Sequence, residues 1–166
     1  MALPNRLLVP TDFSDSAREA FSTAIRVAEK LGASIELLYV WEPSGVIPIE
    51  TLLAEVGTGP TRSLGEIARR EAQTRLNDLV ASINRPAHLK VTTRVEVGRP
   101  DELIVALVEQ GNCDMIIMGT HGRRGIGRLM MGSVAERVVR NSPCPVLTVR
   151  HECPERPSLA PAASSS

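Results

Sequence analysis

The sequence predicts an α/β fold, a doubly wound parallel sheet of five strands in the order 3-2-1-4-5. Three observations lead there. Short apolar runs alternate with longer segments of helical periodicity along all but the last part of the 166 residues. One run, Leu89 to Val97, alternates with polar residues and reads as an edge strand, whereas Asp114–Met118 has no such alternation and reads as a central one. Strands separated by helices imply a parallel sheet covered on both faces, joined by right-handed crossovers.

Leu7 to Val9 is the first strand, ending at Pro10, Thr11 and Asp12. Ser16 followed by Glu19 has capping-box spacing, and Ala17, Ala20, Phe21, Ala24, Ala28 and Leu31 then recur at helical spacing until Gly32 stops the helix. Ser34–Trp41 is the second strand. Residues 42–62, rich in Pro and Gly, form a long connection, and a second amphipathic helix runs from about Ser63 to Ile83. After the edge strand, Gly98 to Pro100 turn the chain into a third helix, with Pro100 suited to its first turn. The fourth strand follows, then a loop, a helix from Ser133 to Arg140 and a fifth strand over Val146–Arg150. The remainder, 151–166, lacks periodicity and is expected to be a disordered tail after a single domain of residues 1–150.

Composition narrows the function classes. Nineteen Lys plus Arg balance nineteen Asp plus Glu, which argues against a surface built for nucleic acid or anionic membrane. Two Phe, one Tyr and one Trp are too few for base-stacking platforms. Cys113, Cys144 and Cys153 have no CxxC spacing, so neither a zinc site nor a disulfide framework is indicated. Cys113 and Cys144 flank strands and read as small core residues or inert thiols. The start has no signal-peptide pattern, and runs such as Leu103–Val108 fall short of the roughly 20 residues that span a bilayer. A reduced, cytoplasmic setting is expected.

The informative segment lies between the fourth strand and the fourth helix: MGTHGRRGIGRLMMGS, Met118 to Ser133, with five glycines and three arginines. Glycine lets the backbone approach a ligand closely, and a helix start favours an anion. In the predicted strand order the reversal falls between strands one and four, where open α/β sheets bind ligands beyond the strands' carboxyl ends. Asp12 and this loop sit at those ends. The combination suits a phosphate chain. It is not a Walker loop, since GxxxxGK[ST] is absent, and it lacks the dinucleotide fingerprint.

The spacing Gly119-x2-Gly122-x9-Gly132-Ser133 resembles the G-2x-G-9x-G(S/T) signature of ATP-binding universal stress proteins. Leu8–Ser14 (LVPTDFS) is similar to that family's opening strand and acidic residue, Met115–Gly122 to its fourth strand and turn, and Ser142–Arg150 to its final strand. The likeness covers roughly residues 4–150; the 42–62 segment and the tail depart from it. It implies a flavodoxin-like, Rossmann-like sheet and ATP as cofactor, with Mg²⁺ or Mn²⁺ beside the phosphates. It further implies that Asp12 contacts the adenosine, with Pro10 and Thr11 lining the same wall, and that Val40 meets adenine through its backbone. Gly119, Gly122, Gly132 and Ser133 would hold the phosphates, with Met118 and Val134 beside them and Arg123 the best placed of the loop arginines. A homodimer through Val146, Leu147, Thr148 and Val149 is also implied.

Plainer readings stand beside these. Ser133 followed by Glu136 fits a capping box, and Asp12 could cap the turn into the first helix. His121 has no acid or nucleophile identified with it, and His151, Glu152 and Cys153 would ligate metal only if the tail folds. The leading function is a nucleotide-dependent regulatory module of the stress response. The alternatives are a slow ATPase or nucleotidyl- or phosphoryl-transfer enzyme on the same fold, a protein for another adenine nucleotide such as a cyclic one, and a stress protein that binds none. No residue set for efficient hydrolysis is visible.

Overall fold

In a computed structural model, residues 3–43, 52–53, 62–120 and 131–150 are described. The elements are β1 (Arg6–Thr11), α1 (Asp15–Leu31), β2 (Ser34–Trp41), β3 (Leu52–Leu53), β4 (Arg62–Ser63), α2 (Leu64–Ser82), β5 (Val91–Val97), α3 (Pro100–Glu109), β6 (Met115–Gly119), α4 (Ser133–Asn141) and β7 (Val146–Val149). Five parallel strands form one sheet in the order β5-β2-β1-β6-β7. Counted along the sheet's own strands, this is the expected 3-2-1-4-5, with the alternating strand at one edge. Within the 42–62 connection, Leu52–Leu53 pairs antiparallel with Arg62–Ser63, a ladder that the connection's Pro and Gly content did not announce.

Alternation along the strands sends side chains into two cores. Leu7, Val9, Ile35, Leu37, Val95 and Ile117 pack with Phe21 of α1 and Leu76 of α2 on one face. Leu8, Leu38, Ile116 and Met118 pack on the other with Ile104 and Leu107 of α3 and Val138 of α4. Strands buried on both faces cannot show polar alternation, which is why β1 and β6 read as unbroken apolar runs. Each fully buried Leu, Ile or Phe contributes about 1.5–3 kcal/mol, so these layers, and not helix propensity, hold the strand ends in place.

The helix starts correct two expectations. Ser14, not Ser16, is the N-cap of α1: it has extended backbone and its side chain accepts from Ala17 N at 3.3 Å. Ser16 lies inside the helix, buried, its hydroxyl donating to the Val149 carbonyl at 3.4 Å. At α4 the N-cap is Gly132, Ser133 is the first helical residue, and among the described residues no side chain caps the end. Glu136, expected to reach back to Ser133, instead pairs with Arg140 at 2.9 Å. A reciprocal capping box does occur at the start of α2. Ser63 Oγ accepts from Glu66 N at 3.2 Å, and Glu66 Oε2 accepts from Ser63 N at 2.9 Å. The smaller offsets are a β5 beginning at Val91 and a β7 ending at Val149.

Gly119, at the end of β6, is where α1 comes closest to the sheet. A Cβ there would lie 2.5 Å from Ser16 Oγ and 2.9 Å from the Ser16 carbonyl carbon. Backbone cannot yield as a side-chain tip does, so Gly119→Ala is expected to destabilise the ligand-free protein by about 1–3 kcal/mol, the usual cost of overpacking. Urea denaturation measures this; an unchanged midpoint would show that α1 can move away freely.

Candidate functional site

The carboxyl ends of β1 and β6 lie at the reversal of strand order, and the backbone ladder there is interrupted for an identifiable reason. Ser34 N donates to Asn5 O at 2.9 Å, so odd-numbered residues of β1 face β2 and even-numbered ones face β6. β1 and β6 pair at Leu7↔Met115 and Leu8↔Ile116, while β1 and β2 pair through to Thr11↔Tyr39. The next rung toward β6 would need a donor at residue 10, and Pro10 has no N–H. A proline in a central strand is ordinarily excluded. Here it stops the ladder at the place where a ligand crevice belongs. At the opposite ends the two strands are held together, with Asp114 Oδ2 accepting from Asn5 N at 3.0 Å and Arg6 N at 2.9 Å.

A second interruption faces the same region from β2. Even-numbered residues of β2 face β1, and the rung after Thr11↔Tyr39 would bring Phe13 N–H to the Val40 carbonyl. Phe13 N–H donates instead to Thr11 Oγ1 at 3.0 Å. The Val40 carbonyl therefore points past the end of β1 without its ladder donor. Asp12 follows directly, its Oδ1 accepting from Ser14 N at 3.0 Å. The capping reading of Asp12 thus has a real contact, and the carboxylate is held at the strand end by it.

Beyond β6, Thr120 ties the helix start to the sheet. It is buried, its N–H donates to Val149 O at 3.0 Å, and its carbonyl accepts from Gly132 N at 2.7 Å. Residues 120 and 132 therefore close the neck of the glycine-rich loop, and the amino end of α4 is set at the carboxyl end of β6. With Gly132 as N-cap and no capping side chain, the first-turn N–H groups of Ser133, Val134 and Ala135 have no intrahelical acceptor. An uncapped helix start suits an anion. Gly132 itself has its N–H committed to Thr120, so its expected role toward phosphate reduces to the missing side chain.

Of the other expected site residues, Met118 is buried in the α3/α4 core, and Val40 and Val134 pack partly buried against the same cluster. Three candidates from different elements thus form one apolar floor. Thr11 is buried and Pro10 half-buried beside it. Gly119 borders the crevice, but its lack of a side chain is explained by Ser16. Gly122 and Arg123 lie outside the described residues, as do His121, the other loop arginines and the 151–166 tail. Among the described residues, no group of three or more His, Cys, Asp or Glu could hold a metal ion. Burial pushes the Cys113 thiol up to about 12. Within the described residues, no helix is long and apolar enough to cross a membrane.

Sequence reasoning passed over Phe13, Tyr39, Thr120 and Arg75. Phe13 has φ +66°, the only positive φ outside glycine among the described residues, and its ring lies 4.9 Å from that of Tyr39. The guanidinium of Arg75 sits 4.2 Å above the Phe13 ring. The signal available was an aromatic residue wedged between a strand-end carboxylate and a helix-capping serine.

A doubly wound sheet whose strand order reverses between β1 and β6, with a helix amino end set at the carboxyl end of β6, defines a protein of the open α/β class. Comparison with known proteins narrows this. The model of the universal stress protein family matches residues 4–150, and the chain belongs to that family. It is 36% identical over 148 residues to universal stress protein MJ0531 of Methanocaldococcus jannaschii, covering 89% of this chain and 83% of that one. A relative from Staphylococcus aureus strain USA300 is 31% identical over 147 residues, with 88% and 84% covered. The solved structure of hypothetical protein MJ0577 matches with a TM-score of 0.69 at 26% identity, over 90% of this chain and 98% of that one. At lower identity the fold is shared with a universal stress protein solved in complex with cAMP (TM-score 0.61, 24% identity, 90% and 98% covered). It is shared also with one from Archaeoglobus fulgidus in complex with dAMP (TM-score 0.57, 17% identity, 90% and 99% covered).

Proposed function

We propose that this chain binds ATP at the β1/β6 reversal, with Mg²⁺ or Mn²⁺ beside the phosphates, and serves as a nucleotide-dependent regulatory module in the stress response. The observation that carries this reading is the uncapped amino end of α4, held by Thr120 at the end of β6 beside the ladder break made by Pro10. A carbonyl without its ladder donor on one side and helix N–H groups without intrahelical acceptors on the other suit an amine at one end and an anion at the other. An adenine nucleotide has both.

In this reading the Val40 carbonyl accepts from the exocyclic amine of adenine. Guanine presents a carbonyl at that position, and the clash of two acceptors would exclude it. Asp12 accepts from the ribose hydroxyls, with Pro10 and Thr11 as the adjoining wall, and Met118 and Val134 lie beside the phosphates. Ser133 and the first-turn N–H groups of α4 take the phosphates, together with Gly119, Gly122, Gly132 and Arg123. When bound, a divalent ion would neutralise phosphate charge; the described residues offer it no acidic cluster, so its ligands would come chiefly from the nucleotide and water. Proteins of this fold have been solved with cAMP and with dAMP, which adds that the fold admits an adenine nucleotide. The chain is further proposed to act in the cytoplasm as a homodimer through Val146, Leu147, Thr148 and Val149, the open edge of the sheet.

Titration calorimetry with ATP and Mg²⁺ is expected to give saturable heat below millimolar nucleotide, and GTP much less. Mass spectrometry of nucleotide released from freshly denatured protein should find an adenine nucleotide. No heat and no thermal shift at millimolar ATP would sink the reading.

A further inference from the structure

We propose that Phe13 is a positioning residue of this site, pinned in a left-handed conformation by Tyr39 and Arg75 so that the Ser14 N–H stays on Asp12 Oδ1 and holds that carboxylate at the strand end. An aromatic residue at φ +66° is a genuine outlier, because its Cβ crowds the neighbouring carbonyl. Such a conformation persists only where the surroundings over-determine it, and it concentrates at functional sites. Here the surroundings can be named. Phe13 N–H is held by Thr11 Oγ1 at 3.0 Å, and the N–H that follows, on Ser14, is held by Asp12 Oδ1 at 3.0 Å. The ring is fixed by Tyr39, with centroids 4.9 Å apart and planes inclined by 37°, and by Arg75, 4.2 Å above it.

The consequence is local and specific. Were Phe13 to relax to an extended conformation, the Ser14 N–H that follows it would be carried away from Asp12 Oδ1. The carboxylate would lose the backbone bond that sets its direction at the strand end. The left-handed residue thus positions Asp12 through the amide that follows it. One of its two ring contacts comes from α2, which follows the 42–62 connection and packs on β5 and β2. Arg75 is exposed on that helix, so a change at α2 can reach the nucleotide site without touching the ligand.

The proposal rests on the nucleotide reading, and the test separates the two. Affinities for ATP and adenosine are measured by calorimetry for the wild type, Phe13→Ala, Phe13→Gly, Arg75→Gln and Arg75→Lys. Hydrogen exchange of the Ser14 amide is measured in the nucleotide-free proteins. Phe13→Ala, which loses the ring but keeps the strain, is expected to lose affinity for both ligands on the order of tenfold or more. Phe13→Gly, which takes positive φ without strain, should bind better than Phe13→Ala although it packs less. Its Ser14 amide should be the better protected of the two. Arg75→Gln should weaken both ligands by about two- to fivefold, the worth of an exposed cation–π contact, and Arg75→Lys should recover part of it.

A residue that merely fills the core predicts the reverse order, with glycine worse than alanine in stability and binding alike. That order, or a Phe13→Ala variant that binds as the wild type does, overturns the proposal. Arg75→Gln is an exposed helix change, so its unchanged affinities would overturn the part assigned to α2 even if the Phe13 variants fold poorly. A wild type that binds no adenine nucleotide while its Ser14 amide shows the expected order overturns the nucleotide reading and, with it, any claim on affinity. Binding without that exchange order overturns the positioning claim alone.

Discussion

An Asp12→Ala variant is expected to lose affinity for ATP and for adenosine in equal measure, by about 10- to 100-fold, as removal of hydrogen bonds to a charged acceptor does. Asp12 is the first residue after β1, and its Oδ1 is already fixed by Ser14 N, so the carboxylate would meet a ligand from a set position. A ligand bonded to it gains without having to order it. The effect belongs to the ribose, hence the equal loss for a ligand with no phosphate. Gly122→Val makes the opposite separation. In the proposed phosphate cradle, a branched side chain there blocks close backbone approach, so ATP should suffer severely and adenosine little. The fold should survive both changes, since the α1 cap is Ser14 and not Asp12. Calorimetry with the two ligands on the two variants decides the matter. If both bind ATP as the wild type does, the assigned site is wrong.

How far the sequence led depended on whether a feature was set by pattern or by packing. Sheet order was legible because burial on both faces removes polar alternation from β1 and β6, while β5 keeps it at the edge. The position of the proposed site follows from that order alone. Helix starts were less legible: at α1 two serines compete, and the one with extended backbone wins, while the packing of α1 on β6 buries the other. At α4, Ser133 has the spacing of a cap, yet Gly132 takes the place because its N–H is drawn to Thr120. Pro10 was visible as a residue beside the site, but its effect on the ladder required knowing that even-numbered residues of β1 face β6. The left-handed Phe13 had no sequence signal of the usual kind, since glycine or asparagine marks such positions and phenylalanine does not. Gly119 carried the right letter for more than one reason; the close approach of Ser16 is the reason the fold supplies.

The edge of the sheet yields the last expectation, that Thr148→Pro will dissociate the proposed homodimer while Leu147→Pro will instead damage the monomer. β7 is the edge strand beside β6, and an apolar edge invites pairing with another chain. The carbonyls of Pro145 and Val149 accept from Ile116 N at 2.9 Å and Thr120 N at 3.0 Å, so odd-numbered residues of β7 face inward. By strand alternation the backbone of Leu147 also faces β6, and those of Val146 and Thr148 face outward. Two copies paired antiparallel about a two-fold axis, the commonest symmetry of homo-oligomers, would exchange bonds through those outward groups. Proline at 148 removes a donor from that shared ladder and leaves the ladder to β6 whole, a substitution that edge strands tolerate. Proline at 147 strips a donor from β6 inside the fold, and the unsatisfied acceptor costs about 1–3 kcal/mol of monomer stability. Light scattering reads the assembly and thermal unfolding reads the fold. Thr148→Pro should be monomeric with nearly the midpoint of a diluted wild type, and Leu147→Pro should unfold at lower temperature. A wild type that is monomeric throughout, or a dimer unmoved by Thr148→Pro, would show that β7 is not the surface through which two copies meet.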